Sequence, residues 1–165
     1  MKPKEHSPKI IILIGLSGSG KTVWTENFLK THDNYVVVSS DDIIQKKADS
    51  LGKTYSEIFD TSIEAAEQEF KNNLRNSIEK RENIIVDRTN ITKKARRRVL
   101  SIVPKEYEKI AVTFSVNDAE LKTRLLQREF KTGKHIPDFV ISDMRTRYQE
   151  PDSSEGFSEI IHVAF

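Results

Sequence analysis

At 165 residues the chain can bury one sizeable core but not two. Its 32% charged and 36% hydrophobic residues exclude a disordered polar chain, and a formal net charge of +2 is too small to announce a nucleic-acid partner, so any basic patch has to be local. With no cysteine, disulfides and thiolate metal sites are excluded.

Residues 1–8 are polar, include two prolines and read as a loose tail ahead of a single domain at 9–165. Residues 9–14 form a strand of the apolar kind found inside a parallel sheet. The apolar run 10–16 is too short to cross a membrane, and the motif beginning within it is no signal peptide. A cytoplasmic protein without membrane association is therefore expected. That motif is Gly15-Leu16-Ser17-Gly18-Ser19-Gly20-Lys21-Thr22, which matches G-x-x-x-x-G-K-[ST] and lies between the strand and a predicted helix at 21–30. Glycines let backbone N–H groups close around phosphate oxygens, and the helix N-terminus beneath adds its dipole. The spacing assigns Gly15, Ser17, Gly18, Ser19, Gly20, Lys21 and Thr22 to a nucleoside triphosphate, with Lys21 on the β and γ phosphates and the Thr22 hydroxyl on Mg²⁺.

A second strand at 35–39 runs into Ser39-Ser40-Asp41-Asp42. Thr54 and Glu57 have capping-box spacing, and Tyr55, Ile58, Phe59, Ile63, Ala66, Phe70, Leu74 and Ile78 then recur at helical steps. A third strand at 83–87 ends on Asp87 and is followed by a basic helix from about Thr92. A fourth strand spans 109–116. Asn117 with Glu120 starts a helix to about Arg128, residues 131–135 form a polar loop around Gly133, and Pro137 opens another helix. A last strand covers 158–165. Strands alternating with helices predict an α/β fold: a five-stranded parallel sheet flanked by helices on both faces, plus a helical lid at about 124–137. Ligands in such sheets bind beyond the carboxyl ends of the strands, where the segments after each strand should converge.

The residues around that crevice suggest chemistry. A kinase for a hydroxyl acceptor gains from a carboxylate that accepts the hydroxyl proton, and Asp41 is placed for that role. Asp42 is better placed to favour the following helix through its dipole; the bland alternative is that both acids only cap that helix. Asp87 suits a magnesium-bound water or an arginine, or is simply a polar strand end. Lys93, Lys94, Arg96, Arg97 and Arg98 crowd a helix N-terminus, where the dipole disfavours cations. Lys93, Lys94 and Arg97 are candidate contacts to nucleic-acid phosphate, with a solvated charged face as the equal alternative. Arg124 and Arg128, four apart beside the Gly133 loop, can be carried by a lid onto the nucleotide and its transferring phosphate. Trp24 reads as core, and His6, His32 and His162 have no metal-ligand spacing.

Together "GLSGSGKTVW", "SSDD", "VDRTN", "RLLQRE" and "YQEPDSSEGFSEI" resemble, over nearly the whole chain, the 5′-hydroxyl polynucleotide kinases of phage and the kinase domain of eukaryotic polynucleotide kinase/phosphatases. The resemblance implies an ATP-dependent kinase acting on 5′-hydroxyl ends of DNA or RNA. In it Asp41 matches the general base and Arg128 the lid arginine, while Arg88 and Asn90 are candidate acceptor contacts. No protein partner is implied. The family's phage member has an arginine three residues after its base, assigned to the acceptor's 3′-phosphate; here that position is Ile44, so little gain from a 3′-phosphate is expected unless Lys46 or Lys47 compensates. No Asp-x-Asp-Gly-Thr phosphatase signature is present. Two rival readings remain: a small-molecule kinase, which would use the same parts, and a nucleotide-driven switch. The guanine signature Asn-Lys-x-Asp is absent.

Overall fold

The strands are dominated by isoleucine and valine, which suit a pleated surface packed on both sides. In the computed structural model, which describes residues 7–164, five of them form one all-parallel sheet. They are β1 (Lys9–Ile14), β2 (Tyr35–Val38), β3 (Asn83–Val86), β4 (Glu108–Ser115) and β5 (Glu159–Ala164), in the order β2-β3-β1-β4-β5. Ile12 of the central strand lies in register with Val86 on one side and Ala111 on the other. Residues 1–6 of the expected tail, and Phe165 of the expected last strand, lie outside the described residues.

Every residue from Ile10 to Ile14 is buried, and the alternation of the strand sends them to two separate cores. Ile10, Ile12 and Ile14 meet Phe70 and Leu74 of α3 (Tyr55–Glu79) and Val99 of α4 (Lys93–Leu100). Ile11 and Leu13 face the opposite side, where Trp24 and Phe28 of α1 (Lys21–Leu29) pack. Helices therefore cover both faces, and Trp24, expected in the core, is half-buried and packs against it. A third cluster joins α2 (Ser40–Leu51) to α3 through Ile44, Ala48, Tyr55, Ile58 and Ala66. The chain closes with α5 (Asp118–Thr132), α6 (Asp138–Arg147), a 3₁₀ turn at Ser153–Glu155 and the edge strand β5.

Side-chain caps set several helix starts. Ser39 accepts the Asp42 N–H, Thr54 that of Glu57, Thr92 that of Ala95 and Asn117 that of Glu120. Most element ends fall within a residue of the sequence reading, and two of the differences bear on the site. The second strand stops at Val38, and Ser39 caps a helix that already contains Asp41 and Asp42 in its first turn. The helix expected to end near Arg128 continues to Thr132, because nothing before Gly133 breaks it.

Candidate functional site

The loop between β1 and α1 folds around its own lysine. Gly20 sits at φ 108°, a backbone that favours glycine, and caps α1. Lys21 is only 8% exposed, and its ammonium donates to the carbonyls of Gly15 at 2.7 Å and Leu16 at 2.8 Å. Burial lowers its pKa to about 8, against the pull of the Asp87 and Asp41 carboxylates. Gly15 and Ser19 face inward: a Cβ on Gly15 would come within 2.6 Å of the Ser19 hydroxyl. The Gly15 N–H also ties this loop to the Thr89 carbonyl beyond β3.

A crevice of about 420 Å³ opens above the loop. Ser17, Gly18, Gly20, Lys21 and Thr22 line it from below, Asp41 and Asp42 from the first turn of α2, and Asp87 and Arg88 from the end of β3. Arg124 and Arg128 reach in from α5. Arg124 also pairs with Glu120 and extends to the Gly18 carbonyl at 3.4 Å. Burial raises the pKa of Asp87, with Lys21 opposing and the neighbouring Asp42 and Asp41 adding to the rise.

A second pocket, of about 380 Å³, lies across Asp41 from the first. Its walls are Tyr55, Phe59 and Ile63 of α3, Ile136 and Pro137 of the α5–α6 loop, and Val140 and Met144 of α6. Ser17, Asp41, Arg88 and Thr89 border both pockets. Asp41 is held at each oxygen: the Tyr55 hydroxyl donates to Oδ1 at 2.6 Å and the Lys134 ammonium to Oδ2 at 2.9 Å. Burial would raise the Asp41 pKa, but Lys134, Tyr55 and Arg128 outweigh it and hold the carboxyl below its ordinary value. Neither Tyr55 nor Lys134 was singled out in the sequence. Tyr55 read as one more member of an apolar stripe, and Lys134 lies 93 residues from its partner.

Other expected site residues are placed differently. Asn90 is 3% exposed with φ 49°; its side chain donates to the Leu13 carbonyl at 2.9 Å, so it shapes the loop from inside. Arg88 pairs with Glu67 and lies 4.6 Å from the Phe70 ring centroid while still bordering both pockets. The basic helix is sorted by the fold: Arg96 is wholly buried against Glu155, Lys93 pairs with Asp152 at 2.7 Å, and Lys94 and Arg97 are exposed. None of Lys93, Lys94 and Arg97 lines either pocket. Ile44 is fully buried where α2 packs on α3, so it makes no contact with an acceptor phosphate, and a guanidinium there would enter the core. Lys46 and Lys47 line neither pocket. Among the described residues no helix is long and apolar enough to cross a membrane.

A triphosphate-sized crevice over such a loop, at the carboxyl end of a parallel sheet, makes this a nucleotide-binding P-loop kinase fold. A family model described as an AAA domain matches residues 10–151, and the chain belongs to that family. Curated relatives include the bifunctional polynucleotide phosphatase/kinase of Schizosaccharomyces pombe, 25% identical over 99% of this chain and 35% of that protein. Another is heterogeneous nuclear ribonucleoprotein U-like protein 2 of Mus musculus, 23% identical over 93% of this chain and 21% of that protein. The chain thus spans between about a fifth and about a third of the curated relatives it matches, at 21% and 35% of their lengths. Among solved structures, a chain of the Pnkp1/Rnl/Hen1 RNA repair complex is 26% identical with a TM-score of 0.70, over 88% of this chain and 45% of that one. A gluconokinase from Sinorhizobium meliloti shares the fold at 17% identity and a TM-score of 0.57, over 97% of this chain and 84% of that one.

The lowered pKa of Lys21 predicts that nucleotide binding is proton-linked. With a pKa of about 8 this lysine is part neutral at pH 8, and incoming phosphate oxygens favour its charged form. Lys21 should therefore take up roughly half a proton when a nucleotide binds at about pH 8, where the terminal phosphate is already ionised. Titration calorimetry in buffers of different ionisation enthalpy measures this; equal heats in all buffers at that pH would refute it.

Proposed function

We propose that the protein is an ATP-dependent kinase that transfers the γ-phosphoryl group to the 5′-hydroxyl end of DNA or RNA. The observation that carries this reading is the pair of pockets meeting at Asp41, one over the phosphate-binding loop and one with aromatic and aliphatic walls. The first suits a triphosphate donor. Phe59, Ile63, Val140 and Met144 give the second the apolar surface that a nucleobase covers better than a polyhydroxyl sugar does. The likeness to the kinase domain of a polynucleotide phosphatase/kinase supports the same choice.

In this reading the acceptor hydroxyl donates its proton to Asp41 while its oxygen bonds to the γ-phosphorus, and the bond from that phosphorus to the β-bridging oxygen breaks to release ADP. Transfer through a loose transition state asks little base strength of the carboxylate and much of its aim, which suits an aspartate held ionised by its neighbours. Lys21 and Arg128 offset charge on the transferring group, with Arg124 on the nucleotide and residues 124–137 as the lid. Three carboxylates facing one crevice, with the Asp87 pKa raised by burial and further by Asp42 and Asp41, fit a cation entering with the nucleotide. Among the described residues no group of three acidic or histidine side chains could hold one alone, so Mg²⁺ would rely on the phosphates, Thr22 and Asp87. That ion would neutralise phosphate charge. Arg88 borders both pockets and would contact the acceptor end, while Lys93, Lys94 and Arg97 would meet more distant backbone phosphates.

The test is transfer from labelled ATP to 5′-hydroxyl DNA and RNA oligonucleotides, beside nucleosides, gluconate and simple sugars. Labelled oligonucleotides are expected. A labelled sugar with unlabelled oligonucleotides would make this a small-molecule kinase, and hydrolysis with no labelled acceptor would make it a switch.

A further inference from the structure

One cation at the site is left without a role by the reading above. Lys134 is 6% exposed, and lysine is seldom buried unless it is paired. Its ammonium meets Asp41 Oδ2 at 2.9 Å and stands 4.3 Å from the centroid of the Tyr55 ring, whose hydroxyl holds Asp41 Oδ1. The backbone on both sides of it is fastened to the start of α3. Gly133, at φ 71°, packs so closely on Thr54 that a Cβ would come within 2.6 Å of Cγ2. On the other side the His135 N–H donates to the Ser56 hydroxyl at 3.0 Å. The loop is thus seated on α3 by contacts independent of the ion pair, and the seat aims the ammonium at the carboxylate.

We propose that Lys134 is a positioning residue for phosphoryl transfer: seated with the α5–α6 loop on α3, it clamps Asp41 through Oδ2 and aims the remaining lone pairs at the acceptor hydroxyl. A carboxylate has about four lone-pair directions, so one bond from Tyr55 and one from Lys134 fix its rotation and leave room for the hydroxyl. Lys134 neither lines the triphosphate crevice nor takes the proton; it acts through Asp41. The inference rests on the reading of Asp41 as the proton acceptor.

Removing the ammonium should loosen the carboxylate and ease its protonation. The other charged groups facing it would stay: Lys21 from the phosphate-binding loop, Arg128 from α5, Asp42 from the same turn and Asp87 from the end of β3. Lys134→Met keeps the stem, and Lys134→Gln keeps a donor without charge. The experiment measures kcat and both KM values for ATP and a 5′-hydroxyl oligonucleotide from about pH 3 to about pH 9, a window that reaches below the ordinary aspartate value, in these variants, in Lys134→Arg and in Asp41→Asn. Lys134→Met should lower kcat by about tenfold to a hundredfold, as expected for a misplaced reacting group, and leave KM for ATP within about twofold. Its acid limb should move to higher pH, Lys134→Arg should recover most of the rate, and Lys134→Met should cost nothing further in the Asp41→Asn background. An unmoved acid limb with a normal kcat, or full additivity of the two substitutions, would overturn the proposal. Should Lys134→Met fail to fold by circular dichroism, the same criteria apply to Lys134→Gln. If instead Asp41→Asn keeps its rate, the reading of Asp41 has failed, which this comparison separates from a failure of Lys134 alone.

Discussion

Asp41→Asn is expected to lower phosphoryl transfer by about two to four orders of magnitude while nucleotide affinity changes little. Asparagine preserves the size of the side chain and can still accept the Tyr55 hydroxyl, but it cannot take a proton from an acceptor. Nucleotide affinity is expected to rest on the loop around Lys21, whose ammonium Asp41 meets through a longer-range attraction. Asp42→Asn is the matching control, since Asp42 shares the first turn of α2 but borders only the donor crevice. The roles are reversed if Asp42→Asn loses the rate and Asp41→Asn keeps it. The pH profile carries a sign. Burial alone would raise the Asp41 pKa, yet Lys134, Tyr55 and Arg128 bring it below the ordinary value, so its ionised form should persist to unusually low pH. An acid limb above the ordinary aspartate range would instead belong to Asp87, whose pKa is raised.

Glu155→Ala is expected to destabilise the fold by about 3–5 kcal/mol, the usual cost of breaking a buried ion pair from one side. Arg96 has no exposed side-chain surface, and Glu155 retains 11%. The two meet through Nε at 2.8 Å and a second nitrogen at 3.2 Å, and Arg96 also donates to the Asn90 carbonyl at 2.8 Å. Without the carboxylate that guanidinium is stranded in the interior. Against a typical domain stability of about 5–15 kcal/mol, the loss should be plain in a denaturant midpoint. Replacing both partners, Arg96→Met with Glu155→Leu, should cost less than Glu155→Ala alone. A single variant within about 1 kcal/mol of the parent would show that the pair does not hold the fold together.

Much of the sheet was legible in the sequence because strands buried on both faces read as continuous apolar runs, and the phosphate-binding loop because its chemistry is fixed by local spacing. What escaped was long-range. Lys134 and Asp41 are 93 residues apart, and Arg96 and Glu155 are 59 apart, so no periodic or capping pattern links either pair. The basic run on α4 offered Lys93, Lys94 and Arg97 as equivalent phosphate contacts, whereas the fold pairs Lys93, turns Lys94 and Arg97 outward and buries Arg96 beside them. At Ile44 the resemblance marked a missing arginine, and the packing of α2 on α3 that surrounds this position was not visible in the sequence. The second pocket also left only a faint trace, an apolar stripe on α3 wide enough to put Phe59 at the surface with 36% exposure.

The segment after α6 has a consequence for synthesis. The Gln149 side chain accepts the Lys93 N–H, the Gln149 N–H meets the Ile91 carbonyl, and Glu155 neutralises Arg96 beneath the loop that carries Asp87 and Arg88. A ribosome making the chain from its amino end releases the phosphate-binding loop early, but the floor of that loop's neighbour arrives some sixty residues after α4 begins. Until Glu155 leaves the exit tunnel, Arg96 has no counter-ion and must stay in water. The crevice is thus completed only after α6 has been made, and stalling shortly before Glu155 should yield a chain that fails to retain nucleotide.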